Sequence, residues 1–323
     1  MLSKHFRYFL LTVCISSCLL ACGNPEVTSS ASSTDIISAD DNSVPSASEP
    51  KGSRDNSVNC LVPSAPGNTT IGNDTVTIDT SNIADGYISV TYKGDAERTR
   101  LMVTTPESNT YTYDLYKGVT DTFPLTESTG NYNVGVYELI SGNDYSVLFN
   151  DDVSVNSIDE YKPYLYPNQY VKFDKDTKAV TFASELVAPA NNDLEAVQYV
   201  YNYVINNITY DYGKAENVES TYIPDVDNVL ATKTGICFDY ASLMASMLRS
   251  QQIPTRLEIG YAGEAYHAWI STYIKDIGWV NGIIEFNGKD WELMDPTFAS
   301  NMSEKKLKSF IGEGDNYITK YMY

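Results

Sequence analysis

The chain has 323 residues, of which 42 are acidic and 22 are basic, and this gives a formal net charge of −20. Its apolar content of 42 % excludes a chain that is disordered throughout and is enough for two domains with separate cores. The acidic excess disfavours nucleic acid and anionic lipid as partners, because both are bound through basic side chains and released counterions.

The first 22 residues predict export. Lys4 and Arg7 precede an apolar stretch, residues 9–20, that is shorter than a typical membrane-spanning helix, as in a secretory signal. The stretch ends Leu-Leu-Ala-Cys at residues 19–22, which resembles the lipobox of bacterial lipoproteins. That resemblance implies that Cys22 is lipidated and anchors the protein to the outside of the cell membrane. An ordinary signal peptide or a short anchor is the alternative, and each also places the rest of the chain outside the cytoplasm.

Residues 23–67 are predicted to be a disordered tether. Ser, Asn, Asp, Pro and Thr dominate this segment, which shows neither helical nor strand periodicity and holds few large apolar side chains. We expect it to hold the folded part away from the membrane, without an enzymatic role.

Cysteine usage argues against a disulfide framework. The cysteines at positions 14, 18 and 22 belong to the signal or the lipidation site, so Cys60 and Cys237 remain in the mature chain. Burial is therefore expected to hold the scaffold together, with a Cys60–Cys237 disulfide as the alternative in an oxidising compartment. His267 is the sole imidazole of the mature chain, since His5 lies in the signal.

Residues 68–160 predict an all-β sandwich of the immunoglobulin-like type. Short alternating segments such as 87–92 and 132–139 are separated by turn sequences such as Asp85-Gly86, a spacing typical of antiparallel sandwiches. The many tyrosines have two explanations, binding of glycans or a cell-wall partner through exposed rings, and packing between strands. Packing is favoured, and we expect this domain to be a spacer or a docking wall.

Residues 161–323 predict an α+β domain in which a helix packs on an antiparallel sheet. A strand pair is expected near residues 170–182. Apolar residues recur every three to four positions over 194–208, after the capping sequence Asn191-Asn192-Asp193, and again over 240–248, in a helix that begins just after Cys237. Strands are expected in the β-favouring segments that follow, at residues 256–261, 268–274, 279–286 and 291–294.

Cys237 follows Gly235 and lies in the predicted first turn of this second helix. Unpaired amides and the positive end of the helix dipole stabilise a thiolate there and supply candidate oxyanion donors, which favours a nucleophilic cysteine. The alternative is a small buried hydrophobe, since free cysteine is among the most buried residue types.

His267 begins one predicted strand, and Asp295 ends another just before a proline. If these strands are neighbours in one sheet, His267 can face Cys237 while Asp295 accepts a hydrogen bond from the other ring nitrogen. A surface histidine and an Asp-Pro turn are the alternatives for the two residues. Cys237, His267 and Asp295 have poor spacing for zinc, so neither a metal nor a cofactor is expected.

Together these motifs resemble the transglutaminase-like superfamily over about residues 192–300. The resemblance is carried by Gly-x-Cys-x-Asp-Tyr-Ala at 235–241, Gly-Tyr at 260–261, His-Ala-Trp at 267–269 and Trp-x-x-x-Asp-Pro-Thr at 291–297. It implies a papain-like core in which Cys237 is the nucleophile, His267 the general base and acid, and Asp295 its orienting partner. It also makes Tyr210 and Trp269 candidates for substrate binding or oxyanion stabilisation, and gives Asp239 and Tyr240 a role in shaping the helix start.

The same resemblance implies acyl transfer from a peptide or glutamine-type amide through a Cys-linked thioester, as in a cysteine peptidase or an acyltransferase. The expected substrate is a peptide or protein outside the cytoplasm, cell-wall peptide included. Water as the acceptor gives hydrolysis and an amine gives cross-linking; hydrolysis is slightly favoured, because no sequence feature indicates a tunnel or lid that excludes water. The superfamily also contains inactive binding members, so a catalytically inactive surface adaptor is the alternative.

Overall fold

The computed structural model of the protein describes residues 50–127, 129–156, 158–262, 265–281, 284–286, 291–293 and 317–323. All of them fall within one compact unit, Ser38–Tyr323. The predicted signal, the predicted lipidation site Cys22 and the tether up to residue 49 lie outside the described residues. These three assignments stay predictions.

The N-terminal part of the described chain is built from antiparallel strands: β1 (Thr70–Gly72), β2 (Val76–Asp79), β3 (Tyr87–Tyr92), β4 (Thr99–Thr104), β5 (Thr110–Leu115), β6 (Thr120–Pro124), β7 (Gly130–Ser141) and β8 (Asp144–Val155). They form two four-stranded sheets with the orders β1-β2-β3-β6 and β5-β4-β7-β8. The predicted period of two is confirmed in β4, where buried Leu101 and Val103 alternate with half-buried neighbours. The immunoglobulin-like type of this region stays a prediction.

The C-terminal part combines helices with a second set of strands. The helices are α1 (Lys178–Leu186), α2 (Asp193–Asn207), α3 (Tyr212–Asn217), α4 (Val226–Thr232) and α5 (Cys237–Ser250). The strands are β9 (Thr209–Tyr210), β10 (Thr234–Gly235), β11 (Thr255–Ala262), β12 (Ala265–Ile274), β13 (Gly278–Asn281), β14 (Ile284–Phe286), β15 (Trp291–Leu293) and β16 (Tyr317–Met322). An antiparallel sheet of order β13-β12-β11-β16 is its largest described sheet.

Helix α5 lies at the centre of this part. Every residue from 239 to 250 is buried, and the helix packs against α1, α2 and α4 as well as against β11 and β12. A helix that is buried all round needs small and apolar side chains on every face, and α5 supplies them as Ala, Ser, Leu and Met. The structure thus has the predicted mixed architecture of a central helix packed on an antiparallel sheet.

The prediction of helix α2 is confirmed together with its cap. The helix runs from Asp193 to Asn207, and the side chain of Asn192 accepts a hydrogen bond from the Glu195 amide at 2.9 Å. This bond satisfies an amide that would otherwise have no partner in the first turn.

The expected strand pair near residues 170–182 is wrong. No strand is found over this stretch, which is described throughout, and α1 begins at Lys178. Val171 and Phe173 are both buried, so their alternation reflects packing of an irregular connection, with no partner strand to form a ladder.

Part of the predicted tether, residues 50–59, is packed against the folded unit. Arg54 Nε lies 2.7 Å from Asp193 Oδ1, and its guanidinium also donates to the carbonyl oxygen of Gln251. The Asn59 amide donates to the carbonyl oxygen of Ser250 at 2.9 Å. These polar and charge-assisted bonds fix a segment that has little apolar surface to bury. The disordered tether therefore does not extend over residues 50–59.

Arg249, near the C-terminal end of α5, is only 1 % exposed and has no carboxylate partner among its described contacts. Its guanidinium donates to the carbonyl oxygens of Tyr166 at 2.7 Å, Thr255 at 2.9 Å and Tyr323. Burial lowers the pKa of this guanidinium to about 9. Three backbone segments that are distant in sequence therefore converge on one side chain.

Candidate functional site

Cys237 is the first residue of α5, as predicted from its sequence context. The chain enters the helix through β10, which pairs in parallel with β9 so that Gly235 lies opposite Tyr210. A Cβ atom on Gly235 would lie 2.6 Å from the Cβ of Asp239, closer than real contacts allow. Glycine is therefore required for the tight turn that presents Cys237 at the helix start.

Three hydrogen-bond donors lie at the sulfur of Cys237: the amide of Ala268, the hydroxyl of Tyr210 and the amide of Phe238. Burial raises the pKa of the thiol, these donors partly offset that effect, and the carboxylate of Asp239 adds to the rise. At neutral pH the resting group is thus a protonated thiol that needs a base, with donors already in place for the anion.

Both described cysteines are free thiols, so the alternative of a Cys60–Cys237 disulfide is not realised. Cys60 is half-buried, and burial raises the pKa of its thiol. The two thiols differ in their surroundings, because Cys60 lies beside Asp174, whereas Cys237 lies among donors.

His267 lies in β12, one residue before the Ala268 amide that contacts the Cys237 sulfur. Its partner across the sheet is Gly260 in β11, which has no side chain to crowd the imidazole. His267 is 8 % exposed, and burial lowers its pKa to about 4. At neutral pH the ring is therefore uncharged, which is the form that a general base requires.

Trp269 lies behind His267 and is largely closed to solvent. It is 4 % exposed, and its ring is stacked beside the imidazole with centroids 6.3 Å apart and planes inclined by 21°. This placement favours a part in holding His267 over the direct substrate contact that the sequence suggested.

Tyr210 is a sequence candidate that the structure brings into contact with Cys237. Its hydroxyl contacts both the sulfur and the backbone amide of Cys237, and burial followed by the charge of the thiolate raises its pKa to about 12. A hydroxyl that stays protonated at neutral pH can donate to a developing oxyanion. The Tyr210 hydroxyl and the Cys237 amide are thus candidate oxyanion donors.

Asp295 lies outside the described residues, so its predicted role stays a prediction. The condition attached to it, that its strand neighbours the strand of His267, is not met in the described part of the chain. There β12 pairs with β11 and β13, whereas β15, the strand that precedes Asp295, pairs with β14.

Exposed aromatic side chains flank the thiol. Tyr266, adjacent to His267, is 60 % exposed, and the charge of Cys237 contributes to its raised pKa, after burial and two neighbouring tyrosines. Its ring lies 5.5 Å from that of Tyr261, and Tyr212 is 62 % exposed beside Tyr210. A polypeptide that reaches Cys237 would meet these rings.

Sequence reasoning assigned Asp239 to the helix start, and its contacts agree with that role. The carboxylate accepts a hydrogen bond from the Ile236 amide at 2.8 Å and is fully buried. Sequence reasoning missed its two other partners, Lys214 at 2.7 Å and the hydroxyl of Tyr222. They lie 25 and 17 residues away in the chain, so no local motif could have identified them.

Within the described ranges, no group of three or more His, Cys, Asp and Glu side chains is placed to hold a metal ion. None of the described helices combines the length and the apolar character needed to cross a membrane.

Residues 180–282 match the sequence profile of the Transglutaminase-like superfamily. Among curated proteins, "Uncharacterized protein YebA" of Bacillus subtilis (strain 168) is 24 % identical over 193 residues, which are 49 % of this chain and 24 % of that protein. The kyphoscoliosis peptidase of Homo sapiens is 25 % identical over 161 residues, 44 % of this chain and 22 % of the peptidase. The chain thus spans about a quarter of the length of these relatives.

Among solved structures, the periplasmic domain of TgpA from Pseudomonas aeruginosa has a TM-score of 0.30 and 15 % identity, over 78 % of this chain and 80 % of that chain. The profile match includes the helix start and the strand described above. Residues 180–282, which match the transglutaminase-like profile, contain both Cys237 and His267.

Proposed function

We propose that the protein is a thiol-dependent acyltransferase that acts on peptide amides. One observation carries the proposal: the Cys237 thiol lies at the start of a buried helix among three hydrogen-bond donors, and one of these donors is the amide of Ala268, the residue that follows His267 in β12. This combination of nucleophile, base and donors is what amide chemistry at a thiol requires.

In the proposed reaction, the neutral imidazole of His267 accepts the thiol proton as the sulfur attacks the amide carbonyl carbon. The carbonyl oxygen becomes an oxyanion, for which the Tyr210 hydroxyl and the Cys237 amide are the candidate donors. The imidazolium then protonates the leaving nitrogen, the C–N bond breaks, and a thioester remains on Cys237. Asp295 is proposed to orient the imidazole.

Water or an amine then attacks the thioester and regenerates the thiol. We propose hydrolysis as the main outcome, because Tyr212, Tyr261 and Tyr266 are exposed to solvent beside the site. The name peptidase, borne by one relative, agrees with this choice. The exposed rings suit a peptide substrate, such as a cell-wall or surface peptide.

The proposed setting is the outer face of a bacterial membrane, with a lipid on Cys22 as the anchor. The support is the sequence pattern at the N-terminus. The strand-rich residues 68–160 are proposed to form an immunoglobulin-like spacer or docking domain, on the basis of two four-stranded antiparallel sheets.

An inactive adaptor is the second candidate, and one observation favours it. Burial raises the pKa of Cys237 and lowers that of His267, so the pair does not form a thiolate and an imidazolium by itself. Labelling with iodoacetamide at neutral pH separates the two functions. Labelling of Cys237 that is unchanged in His267→Gln contradicts the enzyme, because the imidazole would then have no part in activating the thiol.

The decisive experiment incubates a peptide library with the protein and uses mass spectrometry to score cleavage, deamidation and isopeptide formation. We expect cleavage by the wild type, none by Cys237→Ala, and nearly equal melting temperatures for both. The matched control is Cys60→Ala, which removes the other described thiol and should keep full turnover. Turnover that persists in Cys237→Ala would rule the proposed nucleophile out.

A further inference from the structure

Asp239 is a buried carboxylate two residues after the proposed nucleophile. It lies on the first turn of α5, and its side chain is 0 % exposed. It accepts hydrogen bonds from the Ile236 amide at 2.8 Å, from Lys214 Nζ at 2.7 Å and from the Tyr222 hydroxyl. Lys214 is its only cationic partner among the described residues.

Lys214 is held in place from several directions. It lies in α3, where the Asp211 side chain caps the helix by accepting a hydrogen bond from the Lys214 amide at 2.9 Å. Its ammonium also donates to the Tyr222 hydroxyl at 2.6 Å and lies 4.1 Å from the centre of that ring. The side chain is 28 % exposed, so the ion pair lies at the edge of the buried region.

The ionisable groups that adjoin the Cys237 thiol in the described part of the chain come from three elements. Tyr210 is on β9, Asp239 is on α5, and Tyr266 is on β12, where it precedes His267. Asp239 is the one among them that carries a negative charge at neutral pH in its ordinary form. A bare carboxylate there would oppose formation of a thiolate.

We propose that Lys214 is a positioning residue for Cys237: by pairing with Asp239 it neutralises a buried negative charge near the thiol and holds the first turn of α5. The inference rests on the proposed nucleophilic role of Cys237. Lys214 does not touch the sulfur in this arrangement; it acts through Asp239, and Tyr222 supports both ends of the pair.

The test measures iodoacetamide labelling of Cys237 from pH 7 to pH 11.5 in the full chain, resolved from Cys60 by peptide mass spectrometry. In Lys214→Met the midpoint of labelling should rise by about one pH unit, because a nearby like charge shifts a pKa by about that much or more. Below both midpoints the labelling rate should fall about tenfold. An unchanged midpoint in a folded Lys214→Met protein overturns the proposal.

A double variant separates charge from packing. In Lys214→Met with Asp239→Asn the negative charge is also gone, so the midpoint should return close to the wild-type value. If Lys214 acted through packing alone, the labelling midpoint of the double variant would be raised at least as much as that of the single variant, and the proposal would fail. The matched control is Lys175→Met, whose ion pair with Asp176 lies 2.7 Å apart on the surface, with both side chains more than three-quarters exposed; it should label like the wild type.

The structure also allows a rescue experiment. A cavity of about 260 Å³ is lined by Lys214, Asn217, Val218, Glu219, Thr221 and Tyr222. In Lys214→Ala, added ethylammonium should enter this space and move the labelling midpoint back toward the wild-type value. The Lys214→Arg variant keeps a positive charge, so its midpoint should lie close to the wild-type value without any additive. If the labelling midpoint stays raised both in Lys214→Arg and in Lys214→Ala with ethylammonium, the positive charge is not what sets the midpoint, and the proposal is contradicted.

Labelling needs no substrate, so the two proposals fail separately. A protein that shows the expected midpoints but never turns over a peptide contradicts the proposed function alone. Turnover with a midpoint that is indifferent to Lys214 contradicts this inference alone.

Discussion

The uncharged state of the His267 imidazole predicts a specific dependence of stability on pH. Its pKa is lowered from 6.5 to about 4 by burial in the folded protein. Between these values the unfolded chain binds a proton that the folded protein does not bind, so the free energy of unfolding falls as the pH falls. Above pH 6.5 the residue contributes nothing to this dependence, since both states are then deprotonated.

The magnitude follows from the difference of 6.5 − 4 = 2.5 pH units. At about 1.4 kcal/mol per unit, the full loss is about 3 kcal/mol below pH 4, and about 2 kcal/mol of it is present at pH 5. This is a large part of the 5–15 kcal/mol that is typical of a folded protein.

The assay is urea unfolding of wild type and His267→Gln between pH 8 and pH 5, followed by tryptophan fluorescence. The many carboxylates titrate in both proteins and cancel in the difference, as does His5. We expect the wild type to lose about 2 kcal/mol more than the variant over this range. Parallel curves would refute the reasoning, because the imidazole would then keep its ordinary pKa after folding. If the wild type instead lost less unfolding free energy than His267→Gln, an anion such as Asp295 would be stabilising the imidazolium in the folded protein.

Two further substitutions probe the geometry around Cys237. Gly235→Ala should destabilise the protein by about 1–3 kcal/mol in urea unfolding, because its Cβ would meet that of Asp239 at 2.6 Å. Gly213→Ala is its matched control, since the nearest atom is 3.6 Å away, and equal stability losses in both would contradict the steric argument. Tyr210→Phe should lower kcat about a hundredfold with little change in KM, as expected for an oxyanion donor. Tyr212→Phe, which alters the exposed neighbouring ring, should leave kcat unchanged, and an unaffected Tyr210→Phe enzyme would remove Tyr210 from the mechanism.

Local pattern was enough to predict the elements that carry the candidate site. Helix α5 begins at Cys237 because apolar residues recur at helical spacing after Gly235, and His267 lies in a strand because its neighbours alternate. The cap of α2 at Asn192 was equally local. In each case the determining residues lie within a few positions of one another.

What the sequence did not reveal depends on tertiary contacts. Lys214 and Tyr222 approach Asp239 from a different helix and loop, and Arg54 is fixed by Asp193 across 139 residues. The alternation at Val171 arises from burial of a connection, which mimics a strand. Such contacts have no period, so composition and spacing cannot predict them.

Arg249 has a consequence for how the protein unfolds. Its three acceptors lie in the connection that follows the N-terminal sheets, at the start of β11 and after β16. The same connection donates from Gln169 to the Asp114 carbonyl in the N-terminal part at 2.7 Å. Separation of any of these segments would leave a buried cation short of acceptors, which is costly. The strand-rich and helical parts are therefore expected to unfold as one cooperative unit. Unfolding of either part would then also destabilise the helix that carries Cys237.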